Sequence, residues 1–344
     1  MHITLIVPAP FDTVSGGYEY DRRMVAGLRA AGHEVLVLEL PGSFPLTDAR
    51  ADAAARAAWD GLSPDTSVVI DGLALPAFAA LGEAMSERQA AGLIHHATSL
   101  ETGLAEGDRI DLGGIERHLF QRLSRVIANS ETTASSLANE FGVLHERIVV
   151  VAPGTDPAPR SPGSGSDICH VLSIGTLIPR KGHDLLMRAL ARLFDLPWRL
   201  TIAGSPQADP VHAQGLVALA ETLNITKHVT FAGETTGVAL GALWASADLF
   251  ALATHYEGYG MVVAEALKRG LPVAVTAGGA AGALVPIEGG MVCPPGDVDQ
   301  LSKALRRAIF CTDLRRDMAE AAWQAGAALP DWETQSQLFA NALR

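Results

Sequence analysis

The stretch LFALATHYEGYGMVVAE, residues 249–265, reads as a strand, a loop and the beginning of a helix. Its first residues, Leu249–Ala251, form an uninterrupted apolar run, as in a strand that is buried on both faces of a parallel sheet. A loop containing glycine follows, and an apolar helical pattern begins near Gly260 and extends to Arg269. Repetition of such units is typical of a doubly wound α/β sheet.

The same alternation recurs through most of the 344 residues. Short aliphatic strands are predicted in the first half at Ile3–Val7, Glu34–Leu38, Ser67–Ile70, Gly92–His95, Arg125–Ala128 and Ile148–Val151. In the second half they are predicted at Val171–Ile174, Arg199–Ala203, His228–Phe231, Leu249–Ala251 and Val273–Val275. The fold class is therefore expected to be α/β, with two Rossmann-like sheets whose ligands bind at the carboxyl ends of the strands.

Proline, glycine and serine dominate a stretch near the middle of the chain, and this composition indicates a linker. The expected organisation is an acceptor-side domain at 1–156, a linker at 157–167 and a nucleotide-sugar-binding domain at 168–330. Residues 331–344 are predicted to form a short helix after Pro330. Two such domains facing each other would enclose a central cleft.

Composition and charge exclude several classes of protein. A formal net charge of −12 argues against binding to nucleic acid. The chain has no run of about 18 uncharged apolar residues, and its start looks like a first strand rather than a signal peptide. Three scattered cysteines indicate a reducing compartment, so the expected location is the cytoplasm, with the inner face of the membrane as the alternative.

A basic patch is the one feature that points towards peripheral membrane contact. Arg117, Arg122 and Arg125 lie on or next to a predicted helix at 114–124. A solvated helix face explains the same residues and is the preferred interpretation.

Two acids, Glu257 and Glu265, stand eight positions apart around the start of the helix predicted at Gly260. Backbone N–H groups at a helix N-terminus attract anions, while carboxylates accept hydrogen bonds from sugar hydroxyls. This arrangement fits a nucleotide sugar, with its phosphates in the middle and hydroxyls at both ends. Acids at the start of a helix also suit the helix dipole, so the segment alone leaves the structural interpretation equally open.

Arg180 and Lys181 follow the strand Val171–Ile174, in a loop that leads into a helix. Such a loop lies at the carboxyl end of a strand, where an arginine fork and a lysine charge are suited to bind phosphate. In isolation, a solvent-facing pair before a helix is the preferred interpretation of these residues. Together with the two acids, the pair favours phosphate binding.

Two further features lie in the first half. Gly16 and Gly17 follow the first strand and would let the backbone approach a phosphate or sugar closely, although they lack a dinucleotide fingerprint. His95 and His96 end the predicted fourth strand and are placed to donate a hydrogen bond to the donor sugar. A histidine satisfied by local backbone is the competing interpretation.

No metal site is predicted. Asp297 and Asp299 resemble an Asp-x-Asp metal motif, but they follow a Pro-Pro-Gly turn and precede a helical pattern. Asp297 is better explained as an N-cap and Asp299 as an acid of the first helical turn.

Taken together, these segments resemble the retaining glycosyltransferases of family 4, which have the GT-B fold. The resemblance is most specific in three places: Pro179-Arg180-Lys181-Gly182, Glu257 to Glu265, and Gly270-Leu271-Pro272-Val273. The chain departs from the family pattern at Thr176, where arginine is common, and at Gly282, where glutamate is frequent.

The resemblance implies that the helix predicted at 331–344 returns to the N-terminal domain. It also implies roles for individual residues. Glu265 would bind the ribose hydroxyls, Lys181 the diphosphate, and His95 would be the active-site histidine, with His96 as the alternative in register. The predicted catalytic residues are His95, Glu257, Arg180 and Lys181. The predicted donor-binding residues are Gly16, Gly17, Tyr259, Gly260, Met261 and Glu265.

The expected function is therefore metal-independent, retaining transfer of a hexose from a nucleotide-diphosphate sugar, with no further cofactor. The acceptor is left open between a glycan, a lipid and a small metabolite. A non-catalytic nucleotide-sugar-binding protein of the same fold is the alternative.

Overall fold

The computed structural model describes residues 1–101 and 103–344. They divide into two compact units, one formed by Met1–Gly154 with Pro330–Arg344 and the other by Thr155–Leu329. Each unit contains one six-stranded sheet in which all the paired strands are parallel.

The first unit begins with a sheet of strand order β2-β1-β3-β4-β5-β6. Its strands are β1 (His2–Pro8), β2 (Glu34–Leu40), β3 (Ser67–Asp71), β4 (Ala91–Ile94), β5 (Arg125–Ala128) and β6 (Ile148–Val150). The helices between them are α1 (Gly16–Ala30), α2 (Ala49–Asp60), α3 (Gly82–Glu87), α4 (Glu106–Phe120) and α5 (Glu131–Asn139). Between β3 and β4, a 3₁₀ segment, Leu75–Leu81, continues into α3.

The second unit repeats this design with strand order β12-β11-β10-β7-β8-β9. Its strands are β7 (Cys169–Ile174), β8 (Trp198–Ala203), β9 (Val229–Gly233), β10 (Leu249–Leu252), β11 (Val273–Thr276) and β12 (Gly290–Cys293). Its helices are α6 (His183–Ala191), α7 (Pro210–Thr222), α8 (Gly237–Ser246), α9 (Met261–Lys268), α10 (Val298–Phe310) and α11 (Thr312–Ala327).

Apolar side chains cover both faces of the second sheet. Val171 and Ala251 point into a core built with Leu186 and Leu305, whereas the adjacent residue Leu172 packs into a separate core around Trp244. Because successive side chains of a strand point to opposite faces, two cores require the continuous aliphatic runs seen in the sequence.

The last helix, α12 (Trp332–Ala342), belongs to the first unit and packs against α1. Phe339 is 2% exposed, and the ring of Trp332 lies 6.0 Å from that of Tyr20. A Cβ atom on Gly154 would stand 2.4 Å from the backbone nitrogen of Trp332. The chain therefore leaves the first unit at Gly154 and re-enters it beside the same residue.

The stretch expected as a linker, 157–167, belongs to the second unit. Ser161 donates its backbone N–H to the carbonyl of Arg269 over 2.9 Å, and Ser164 donates its own to Asp248 Oδ1 over 2.8 Å. These hydrogen bonds fasten the stretch, which has no regular secondary structure, to the second unit.

The basic patch of Arg117, Arg122 and Arg125 does not lie on one helix, because α4 ends at Phe120 and Arg125 begins β5. Arg117 donates to the carbonyl of Glu140, at 2.7 Å, and Arg125 to that of Glu146, at 2.8 Å. Among the described residues, no helix has both the length and the apolar character needed to span a bilayer.

Candidate active site

The loop after β7 carries the two cations predicted to bind phosphate. Arg180 and Lys181 lie in a 3₁₀ turn, Pro179–Lys181, just before α6. Gly182 has a φ of +63°, and a Cβ atom there would stand 2.0 Å from the carbonyl oxygen of Ala253. The basic loop therefore lies directly against Ala253, the residue that follows β10, and only glycine at position 182 permits this close approach.

Glu257 is the acidic partner of this basic pair. Its Oε1 lies 2.5 Å from Nζ of Lys181, 3.6 Å from Nη1 of Arg180 and 3.1 Å from the hydroxyl of Thr254. Glu257 is 8% exposed. Burial favours the neutral acid, but attraction to Lys181 and Arg180, with the hydrogen bonds, outweighs it and lowers the pKa of Glu257. The structure thus brings together three of the four predicted catalytic residues.

Backbone contacts fix this cluster on both sides. Arg180 Nη1 donates to the carbonyl of Tyr256 over 2.6 Å, and the carbonyl of Arg180 accepts from the backbone N–H of His255 over 2.8 Å. These bonds hold the basic loop and the loop after β10 to each other. Neither charge therefore has to be ordered when a ligand arrives.

Two glycines support the backbone of Glu257 from the loop after β11. The N–H of Glu257 donates to the carbonyl of Gly278 over 3.0 Å, and its own carbonyl accepts from Ala280 over 2.8 Å. Gly279 has a φ of +69°, and a Cβ atom there would stand 2.1 Å from the carbonyl oxygen of Glu257. A side chain at this position would have to displace the carboxylate-bearing segment.

The predicted sugar-contacting residues Tyr259, Gly260 and Met261 lie at the start of α9. Gly260 has a φ of +100° and immediately precedes Met261, the first residue of that helix. Burial raises the pKa of Tyr259 to about 12, so its hydroxyl is neutral at physiological pH. The turn through Gly260 thus connects buried Glu257 to the first amides of α9.

Glu265 lies one turn further along α9, in a different environment from Glu257. Its side chain retains 34% exposure, and its Oε2 lies 4.0 Å from Nη1 of Arg269. The same Nη1 donates to the carbonyl of Glu265 over 3.0 Å, while the guanidinium carbon lies 4.8 Å from the centroid of the Trp244 ring. Arg269 therefore borders Glu265 without burying its carboxylate.

A fully buried histidine, not predicted from the sequence, lies behind the basic loop. His183 is the first residue of α6, and its Nε2 lies 3.2 Å from the carbonyl oxygen of Gly175. Burial lowers the pKa of His183 to about 4, so the ring is neutral and Nε2–H donates to that carbonyl. Its position directly after Gly182, at the first residue of a helix, is the signal that could have identified it.

The fourth predicted catalytic residue, His95, lies in the first unit, directly after β4. Its Nε2 lies 3.0 Å from Oδ1 of Asp21 and 3.5 Å from Oδ2 of Asp71. Neither aspartate was predicted from the sequence. The available signal for Asp71 was its position as an acid at the carboxyl end of β3, the neighbour of β4.

The structure distinguishes His95 from His96. Nε2 of His96 lies 2.5 Å from Oε1 of Glu101, a residue whose side chain is 34% exposed. Gly16 and Gly17 are the first two residues of α1, and a Cβ atom on Gly17 would stand 3.3 Å from Cδ2 of His95. Close packing on the His95 ring is thus a structural reason for Gly17.

The sequence interpretation of Asp297 is confirmed. Its Oδ1 accepts from the backbone N–H of Gln300 over 2.9 Å at the start of α10.

Among the described residues, one group of three side chains has potential metal-ligand atoms within 4.8 Å of one another, and it consists of Asp21, Asp71 and His95.

Comparison with known protein families finds a match for the part of the chain that carries most of these residues. Residues 159–325 match the family model described as Glycosyl transferases group 1. These residues form a glycosyl transferases group 1 domain. The domain contains Arg180, Lys181, Glu257 and Glu265, whereas His95 lies outside it.

The curated relatives of this glycosyltransferase domain include D-inositol 3-phosphate glycosyltransferases. That of Mycobacterium sp. (strain KMS) is 33% identical over 211 residues, which cover 56% of this chain and 48% of that protein. That of Gordonia bronchialis is 30% identical over 263 residues, which cover 69% of this chain and 57% of that protein. The chain spans about half the length of the curated relatives it matches.

Solved structures match over almost the whole chain. Sucrose-phosphate synthase from Thermosynechococcus elongatus has a TM-score of 0.82 at 20% identity, covering 99% of this chain and 98% of that one. Anabaena HepE in complex with UDP-glucose has a TM-score of 0.79 at 20% identity, covering 100% and 99%. WaaG, a glycosyltransferase involved in lipopolysaccharide biosynthesis, has a TM-score of 0.77 at 20% identity, covering 99% of each chain. The predicted GT-B fold class is confirmed.

Proposed function

We propose that this protein is a retaining, metal-independent glycosyltransferase that moves a hexose from a nucleotide-diphosphate sugar to a hydroxyl acceptor. One observation carries the proposal most directly. Buried Glu257 contacts both Lys181 and Arg180 where the loops after β7 and β10 meet, inside the matched glycosyltransferase domain. A polar group of this kind, at the carboxyl ends of parallel strands, is typical of a ligand site.

The charges of this cluster suit a diphosphate leaving group. Two cations and one carboxylate leave a net charge of +1, fixed in place before any ligand binds. As the glycosidic bond breaks, negative charge develops on the diphosphate, and cations held in position stabilise it without rearrangement. Arg180 and Lys181 would supply that stabilisation in place of a divalent ion.

The two acids would take different ends of the donor. Glu257 would accept a hydrogen bond from a hydroxyl of the sugar while it contacts the two cations. Glu265, which is partly exposed, would accept hydrogen bonds from the ribose hydroxyls. In the proposed mechanism the acceptor attacks the face from which the diphosphate leaves, and a phosphate oxygen takes the acceptor's proton. The resemblance to family 4 supports this assignment.

Relatives and structural neighbours guide the choice of ligands. Neighbours solved with UDP and UDP-glucose support uridine nucleotides as the first donors to test. Relatives named D-inositol 3-phosphate glycosyltransferases support a phosphorylated polyol as the first small-metabolite acceptor. A glycan or lipid acceptor would be tested after it.

The first experiment is a thermal-shift screen of the full chain against nucleoside diphosphates and nucleotide sugars, with and without EDTA. A rise in Tm with one base, unchanged by EDTA, is expected. Early product from the stabilising donor is then examined by proton NMR for its anomeric configuration. An inverted product, or turnover that EDTA abolishes, would contradict the proposal. Binding without turnover against every acceptor would favour the non-catalytic alternative.

A further inference from the structure

Three polar side chains from three elements of the first unit meet at the carboxyl end of its sheet. Asp21 comes from α1, Asp71 is the last residue of β3, and His95 follows β4. One ring nitrogen, Nε2 of His95, faces both acids, at 3.0 Å from Asp21 and 3.5 Å from Asp71. His95 thus has two carboxylates on one edge of its ring.

The two aspartates are almost removed from water. Asp21 is 2% exposed and Asp71 is 4% exposed. Two ionised carboxylates in such a place repel each other and lose their hydration, so a buried pair is stable only when compensated. A cationic imidazole compensates one of them, and a bound proton neutralises the other.

The titration of the group agrees with this arrangement. Burial and repulsion from Asp21 raise the pKa of Asp71 to about 7, even though the charge of His95 acts in the opposite direction. Burial disfavours charge on His95, but the two carboxylates outweigh it and raise the pKa of His95 above its ordinary value. The two acids therefore shift the imidazole towards its cationic form.

The two tyrosines packed near the ring are neutral hydrogen-bond donors. Tyr20 packs edge-on against the imidazole, with centroids 5.1 Å apart, and its hydroxyl donates to the carbonyl of Val151 over 2.9 Å. The hydroxyl of Tyr18 donates a hydrogen bond to the carbonyl of Pro8 over 3.0 Å. Burial, together with the nearby Asp71, Asp21 and Glu39, raises the pKa of Tyr18, so this hydroxyl is neutral. On the side of α5, the hydroxyl of Thr133 donates to the backbone carbonyl of His95 over 3.2 Å.

The protonation state decides what the other ring nitrogen can do. Asp21 in its ionised form only accepts hydrogen bonds, so Nε2, 3.0 Å from its Oδ1, carries a proton in either state of the ring. No hydrogen bond joins Nδ1 of His95 to any residue in the part of the chain that the structure describes. In a neutral ring Nδ1 would accept, whereas in the cation it donates.

We propose that Asp21 and Asp71 keep His95 cationic at neutral pH, so that Nδ1–H donates a hydrogen bond to a substrate oxygen, either a sugar hydroxyl or a phosphate. Asp21 and Asp71 act through the ring and are positioning residues. The nature of the substrate rests on the proposed function, but the charge state of the ring does not.

The test measures the ring directly, by nitrogen-15 NMR of histidine-labelled full-length protein between pH 5 and 9, with His95→Asn used to assign the signal. We expect His95 to remain cationic at pH 7 and to titrate above the ordinary histidine value. Asp21→Asn and Asp71→Asn should each move that titration to lower pH. Asp52→Asn, an exposed aspartate of α2, is the matched control and should leave it unchanged.

A wild-type ring that is already neutral below pH 7 would overturn the inference, and this measurement needs no variant to fold. An unchanged titration in both folded asparagine variants would overturn it too. So would specific loss of the His95 signal on stoichiometric addition of Mn²⁺, because the three groups would then be a cation site. A cationic ring in a protein that binds no nucleotide would instead refute the proposed function and leave the charge assignment standing.

Once a donor and acceptor are known, the pH profile of kcat provides the readout specific to positioning. We expect the basic limb of the profile to move to lower pH in Asp71→Asn, with little change in donor KM. A uniform loss of kcat at every pH would indicate a purely structural role and contradict the inference.

Discussion

Nζ of Lys181 and Oε1 of Glu257 lie 2.5 Å apart, although 76 positions separate the two residues in the chain. Their loops follow β7 and β10, which are neighbours in the second sheet. The parallel pairing of these strands thus creates the contact, and the contact compensates the charge of the buried Glu257 carboxylate. A diphosphate would meet a cation whose position is already set by its acidic partner.

Lys181→Ala should reduce kcat by about 10²–10³-fold, because it removes one fixed electrostatic donor to the leaving group. It also leaves Glu257 partly uncompensated, so the free energy of unfolding must be measured by denaturant titration beside the kinetics. Lys227→Ala, an exposed lysine between α7 and β9, is the control. Wild-type turnover in Lys181→Ala would remove the phosphate role.

Glu265→Gln should weaken nucleoside-diphosphate binding by about 10- to 100-fold, since a hydrogen bond to a charged acceptor contributes roughly 1.5–3 kcal/mol. The bond-breaking step should change less, because the ribose lies away from the reacting centre. Calorimetry measures the affinity, and Glu288→Gln, an exposed glutamate, is the control. Equal affinities of wild type and Glu265→Gln would contradict the ribose assignment.

Gly279→Ala should destabilise the second unit and weaken nucleotide binding, because the new Cβ would stand 2.1 Å from the carbonyl oxygen of Glu257. Gly233→Ala is a matched control: its φ is +68°, against +69° at Gly279, and nothing lies within 4 Å of its Cβ position. Both variants carry the left-handed backbone cost of roughly 1–2 kcal/mol. Equal losses of stability and of affinity in the two variants would show that the contact with Glu257 is unimportant.

The stability of the first unit should fall as pH rises from about 4 to about 7. Asp71 has a pKa raised from 3.8 to about 7 in the folded protein, so over this interval the folded state holds a proton that the unfolded chain has released. The raised pKa of His95 acts in the same direction, because its contribution is present at low pH and is lost as pH rises through its folded value.

This pH dependence is measured by hydrogen exchange of the peptide that contains β3, after correction for the intrinsic exchange rate at each pH. Asp71→Asn should flatten the dependence, whereas Asp52→Asn should keep it. An identical slope in wild type and Asp71→Asn would refute the assignment.

The sequence predicts the strands of the two sheets except β12, because burial on both faces forces continuous aliphatic strands, as in Leu249–Leu252. Boundaries set by tertiary contacts are harder to predict. Helix α6, for example, begins only at His183, because Gly182 takes a left-handed conformation against Ala253. No local propensity reveals that approach, since its partner lies on another strand.

Part of the candidate site is also predictable from the sequence, because several of its residues directly follow predicted strands. Arg180, Lys181 and Glu257 lie in loops after strands, where position alone indicates function. Asp21 lies within a helix, and its only signal is an acid on the same face as buried Met24, Val25 and Leu28. The convergence of that face with the ends of β3 and β4 depends on strand order, which a single sequence does not specify.

The return of α12 to the first unit has a consequence for biosynthesis. Residues 332–342 complete a core whose other members are translated near the beginning of the chain. The synthesis of the first unit therefore begins before that of the second unit but is completed only after the ribosome has synthesised the whole of Thr155–Leu329. Until then the apolar surface of α1 that receives Phe339 lacks its cover, so chaperone protection during synthesis is expected to matter more for the amino-terminal lobe than for the domain inserted within it.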